Sequence, residues 1–167
     1  MSVAERVAEP LAAPSTAAAP VSGPGTKEPA PTYRIVRVAS VGVVLPDQYP
    51  TVTLEDTEGA GGRLAFRIGM AEGVALAHAL AGTAAPRPLT HDLFAAALER
   101  FGIDVVAARI VGRAGSTYLA ELDLVGPGGA QELPCRPSDA ICMALRRPVP
   151  APVLCDERLF SAGDVVP

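Results

Sequence analysis

Residues 63–80 read RLAFRIGMAEGVALAHAL, and the spacing of their apolar side chains changes period part-way along. Leu64, Phe66 and Ile68 alternate with Arg63, Ala65 and Arg67, the period-two pattern of a strand with one buried face. From Met70 the pattern switches: Val74 with Ala77 and Ala81, and Leu76 with Leu80, recur at helical spacing until Gly82 supplies a stop. A strand therefore gives way to a helix running from about Met70 to Ala81.

Upstream, RIVRVASVGVVL follows Tyr33 as a β-branched run ending at Pro46, and TVTLED (51–56) is a second strand. Downstream, the connector GTAAPRP leads to Thr90, placed to cap the helix HDLFAAALERF, which Gly102 closes. Leu93, Ala97 and Phe101, with Phe94 and Leu98, form its apolar stripe. IDVVAARIV and STYLAELDLV flank GRAG as a hairpin, and AQELPC follows as a short strand. A third helix begins at Pro137 or Ser138 and stops before Pro148, with Ile141, Ala144 and Leu145 facing inward; APVLC suits a last strand. The order is three strands, two helices, three strands, a helix and a strand. Neighbouring hairpins make this α+β, a mostly antiparallel or mixed sheet packed with about three helices in a single domain.

With 167 residues the chain is long enough for one core without disulfides or metal. Aromatics are 4% and Trp is absent, so Val, Leu, Ile and Ala must build that core. The first 31 residues, rich in Ala and Pro, bury too little to offset ordering and are expected to form a disordered tail. The folded domain is then 32–155, and 156–167 is a C-terminal extension. Net charge is −4, so no global positive field draws the chain to phosphates, and nucleic-acid contact would require a local basic patch. Cys135, Cys142 and Cys155 lack the close pairs of a zinc site and read as reduced, buried thiols. No segment reaches the roughly 20 apolar residues of a membrane span. The acids in MSVAERVAEPLAAP are wrong for a secretory signal, which makes the cytoplasm the expected compartment and leaves no membrane partner.

Two corners share a design. Arg87-Pro88-Leu89-Thr90-His91-Asp92 and Arg136-Pro137-Ser138-Asp139 each place a cation, a rigid Pro, a hydroxyl and a carboxylate at a helix start. Helix amides with a nearby guanidinium attract phosphate, which makes Arg87, Arg136, Thr90 and Ser138 candidate phosphate-binding residues. The same residues also fit plain structure, with Thr90 and Ser138 as caps and Asp92 and Asp139 complementing the helix dipoles and pairing with the arginines. An imidazole can take up and release a proton, which makes His91 a candidate general base; His78, mid-helix, reads as packing or surface. Should the corners meet, Glu72, Asp92 and Asp139 with His91 would form a candidate catalytic set, and the three carboxylates would suit magnesium or manganese. That ion would activate water for phosphodiester hydrolysis.

At these residues the sequence resembles the bifunctional nuclease (BFN) domain family. The family pattern has a strand ending in I-G, an E-A-rich helix, R-P-x-T-H-D-L and R-P-S-D-A-I-x-x-A-L-R. Here these are Ile68-Gly69, Glu72 with Ala75, Arg87 to Leu93, and Arg136 to Arg146, within a match from about Tyr33 to Cys155. The resemblance implies a compact α+β domain, often a homo-oligomer, with nuclease activity on DNA and RNA. It brings no catalytic residue set, so the roles above rest on the residues themselves. Two departures stand out: Glu72-Gly73-Val74-Ala75 replaces E-A-x-A, and a proline-rich run follows Arg146. Gly73 should loosen its helix by about 1 kcal/mol relative to Ala. Against the nuclease stands a noncatalytic binding or regulatory module for a phosphorylated ligand or protein partner, which the acidic net charge favours. Cleavage of nucleic acid parts the two readings, and whether His91, Asp92 and Asp139 share a cleft decides the composite site.

Overall fold

The computed structural model describes residues 30–58, 61–83 and 85–160. Nearly all of the expected tail, and 161–167 of the expected extension, lie outside them. The strands are β1 (Tyr33–Gly42), β2 (Thr51–Asp56), β3 (Arg63–Arg67), β4 (Asp104–Ala114), β5 (Thr117–Gly126), β6 (Gly129–Cys135) and β7 (Val153–Asp156). The helices are α1 (Met70–Ala81), α2 (Thr90–Arg100) and α3 (Pro137–Leu145). Their order along the chain is the expected one.

The strands form a single sheet in the order β3-β2-β1-β7-β4-β5-β6. Two antiparallel meanders, β1 to β3 and β4 to β6, are joined by β7, which runs antiparallel to β1 and parallel to β4. The sheet is thus mixed, and with three helices the α+β class holds. The alternation in β3 does what its spacing demands. Leu64 and Phe66 pair with Leu54 and Val52 of β2, and all four are buried, while Arg63 and Arg67 are exposed. In β4 a register shift between Val105 and Ala107 breaks the alternation, which lets both Val105 and Ala108 join the core. Over β4 and β5 lies α3, which also meets α1 and α2. Its residues Ala140 to Ala144 are buried without interruption, as expected of a helix covered on both sides.

Three expectations change. β1 ends at Gly42 rather than running on to Pro46, because β2 begins at Thr51 opposite Gly42 and offers Val43, Val44 and Leu45 no partner; these are exposed. The stripe on α2 is largely uncovered: Leu98 alone is buried, whereas Leu93 and Phe101 are 66% and 72% exposed. Past Cys155 the packed chain continues. The Asp156 carboxylate accepts the Arg158 amide at 3.0 Å to open a single 3-10 turn, and Leu159 and Phe160 rest on the core. No helix among the described residues is long and apolar enough to cross a membrane.

Candidate functional site

β3 passes into α1 through Ile68 and Gly69, which carries Glu72, in the first turn of the helix, to the start of α3. Gly69 matters for its size: a Cβ there would collide with the Glu72 carboxylate folded back over its own helix start. Glu72 Oε1 accepts from Arg136 Nη1 at 2.7 Å. Arg136 occupies the N-cap position of α3, so its guanidinium also reaches Asp139 one turn on, with Nε at 2.8 Å and Nη2 at 3.1 Å from the two carboxylate oxygens. Asp139 Oδ1 lies 3.1 Å from His91 Nε2, in the first turn of α2. One line of contacts, Glu72–Arg136–Asp139–His91, therefore ties all three helices together. The two Arg-Pro corners meet through it.

The remaining candidates are placed differently. Asp92 shares the corner with His91 but turns away from Asp139. Its Oδ2 accepts the Leu89 amide at 2.7 Å and its Oδ1 accepts Arg146 Nε at 2.6 Å. Arg87 is exposed and makes no ion pair with the described residues. Neither hydroxyl caps its helix. Leu89 and Arg136 hold the cap positions, because Asp92 already takes the Leu89 amide and Pro137 opens α3; Thr90 is exposed and Ser138 buried, both inside the first turn. Nor do Glu72, Asp92 and Asp139 converge as a metal set: each is engaged by an arginine, and no three His, Cys, Asp or Glu side chains among the described residues come together to hold an ion.

Arg146 was given no role from sequence, although it ends the second motif. It is 7% exposed, and its Nη2 donates to Ala75 O of α1 at 3.1 Å, so it clamps α1, α2 and α3 from beneath the line. The line itself borders a groove of about 640 Å³ whose walls include Val74, Ala75, Phe94, Leu122, Leu133 and Met143.

The bifunctional nuclease domain family model matches residues 52–166, most of the chain and all of the site. The chain belongs to the bifunctional nuclease domain family. It is also 33% identical over 133 residues to uncharacterized proteins from two strains of Mycobacterium tuberculosis, covering 79% of this chain and 77% of theirs.

Electrostatics hold these side chains ionised. Burial alone would raise the Asp139 carboxyl, but hydrogen bonds from Arg136 and His91 outweigh it and keep the group below the usual aspartate range. Asp92 is likewise depressed, its burial outweighed by Arg146 and the Leu89 amide. Arg136 is pushed up by its bond to Asp139 and stays charged. Cys135, the one cysteine lining the groove, is half-buried and pushed up to about 11 by burial and then by the Asp139 charge. It is a thiol at neutral pH, not a nucleophile. His91 lines the groove, and its Nδ1 makes no hydrogen bond with the described residues.

Proposed function

We propose that the chain hydrolyses phosphodiester bonds in DNA or RNA, with His91, Asp139 and Arg136 as its working residues. The supporting observation is the contact of His91 Nε2 with Asp139, itself held by Arg136, because it joins two separate family motifs in one reactive group. With Nε2–H donated to Asp139, Nδ1 takes a proton from the attacking water as the new P–O bond forms. Asp139 stabilises the imidazolium, and Arg136 steadies the charge on the phosphoryl oxygens. The proton then passes to the leaving oxygen as its bond to phosphorus breaks. Glu72 holds Arg136 from the other side as a positioning residue.

The experiment is cleavage of single- and double-stranded DNA and RNA by purified protein, with magnesium, with manganese and with chelator. Asp139→Asn and His91→Asn are each expected to lower the rate by about 100-fold or more, the usual weight of a general base and its orienting partner. Cleavage undiminished in both variants would overturn the assignment. Binding of a phosphorylated ligand without any cleavage would favour the noncatalytic module, which the net charge of −4 supports.

The reading extends to a homo-oligomer, supported by the bare Leu93 and Phe101 on α2. Light scattering is expected to give a mass above the 17.1 kDa of one chain, returned to that value by Phe101→Glu; a monomeric wild type removes this part. Three free thiols support a reducing compartment, the cytoplasm.

A further inference from the structure

The Glu72–Arg136 pair stands between two hollows and lines both. On one side is the groove already described, where Phe94 and Leu133 are 42% and 43% exposed. On the other is a cleft of about 510 Å³ between the end of β3, the β4–β5 hairpin and the start of α3. Arg67, Arg113 and Arg136 line this cleft along with Ser116 and Thr117, and Glu72 is its one acidic residue. On a chain of net charge −4, that is the local basic patch an anionic ligand requires.

The cleft's arginines are held in place. Arg67 is paired to Asp47 at 2.8 Å, and the Arg113 guanidinium lies 5.5 Å from the centre of the Tyr118 ring with Nε donating to Gly115 O at 2.6 Å. Guanidinium groups fixed in this way lose little freedom on accepting an anion. Both hollows fall in the size range of ligand sites.

A chamber lined by three arginines and a more apolar one with the half-exposed Phe94 share a single wall. A nucleotide divides the same way, into an anionic phosphate and a planar base that stacks on aromatic surface. We infer that the two hollows are the halves of one nucleotide site: Arg67 and Arg113 take in the cleft a phosphate neighbouring the one that His91 and Arg136 act on, and Phe94 and Leu133 take a base in the groove. The ribose then crosses beside Arg136. This rests on the proposed function in taking nucleic acid as the ligand, and it adds four residues, none of which was a candidate from sequence.

Calorimetric titration of the full chain with adenosine 5′-monophosphate, adenosine and ribose 5-phosphate, in the absence of metal, tests it. The nucleotide should bind more tightly than either fragment. Arg113→Ala should weaken the nucleotide and ribose 5-phosphate by about tenfold, the loss of one charge-assisted contact, and leave adenosine unchanged. Phe94→Ala should weaken the nucleotide and adenosine by about three- to tenfold, and leave ribose 5-phosphate unchanged. Arg67→Ala repeats the phosphate arm at a second exposed position, so the result does not hang on one variant. No nucleotide binding, equal binding of nucleotide and ribose 5-phosphate, or both variants weakening the same ligands would overturn the inference. Oligonucleotide cleavage without nucleotide binding would do so while sparing the nuclease reading. Nucleotide binding with this pattern but no cleavage would spare the two-part site and overturn the nuclease.

Discussion

At the scale of single residues, the candidates Glu72, His91, Arg136 and Asp139 could be found from motif and chemistry, but only their local partners could. An i,i+3 pair such as Arg136–Asp139 is local and follows from helix geometry. Asp92, by contrast, sits next to His91 in sequence and yet bonds Arg146, 54 positions away, because α3 presents Arg146 beneath the corner. The fork of Arg146 serves two acceptors on different helices, and removing this buried guanidinium strips Asp92 Oδ1 of its charged partner and loosens the tie to Ala75 O. Arg146→Ala is therefore expected to cost about 1.5–3 kcal/mol in urea unfolding, the range for hydrogen bonds to a charged group. Arg146→Lys should recover only part of that, since one ammonium lacks the planar fork that spans both acceptors. Full recovery by lysine would mean that charge alone, not the shared geometry, holds the corner.

At the scale of elements, all three helices and seven strands were legible, because period two and helical spacing survive in short segments. What spacing cannot show is what covers each face. The stripe on α2 has the regularity of a core face, yet only Leu98 is buried in the core, and Leu93 and Phe101 stay bare. Gly73 is the opposite case. Propensity marks it as a weakness in α1, but it is buried against Pro50, and a Cβ there would lie 2.6 Å from Pro50 Cγ. A rigid proline ring yields less readily than a flexible chain. Gly73→Ala is accordingly expected to destabilise the fold by about 1–3 kcal/mol, the cost of overpacking, and not to gain the roughly 1 kcal/mol that helix propensity alone promises. Thermal unfolding of the two proteins separates the signs: a higher midpoint for the alanine variant would show that α1 shifts off Pro50 freely.

At the scale of the whole molecule, the two meanders could be read from adjacent strand signals, while the place of the strand that unites them could not. APVLC pairs with β1 on one side and β4 on the other, and its parallel pairing with β4 depends on the route of α3, which no local pattern encodes. The seam is closed at its far end by Asp156, 1% exposed in its side chain and bonded to Arg158 through both oxygens, with Nη2 at 2.6 Å. Those bonds, above all from the Arg158 side chain, hold Asp156 below the usual aspartate range, as arginines do for Asp92 and Asp139. In the unfolded chain these groups titrate near the ordinary value of 3.8, so between that value and the depressed ones the unfolded state binds more protons. Stability from the three pairs is then complete above the ordinary value and is lost as pH falls through the folded ones. Urea unfolding should accordingly show a steepening loss below about pH 4, with each aspartate adding at most about 1.4 kcal/mol per pH unit. Asp156→Asn should lower stability at neutral pH and flatten the acid limb, because one depressed group has been removed. An acid limb as steep in the variant as in the wild type would place the acid sensitivity in the helix corners and not at the β7 seam.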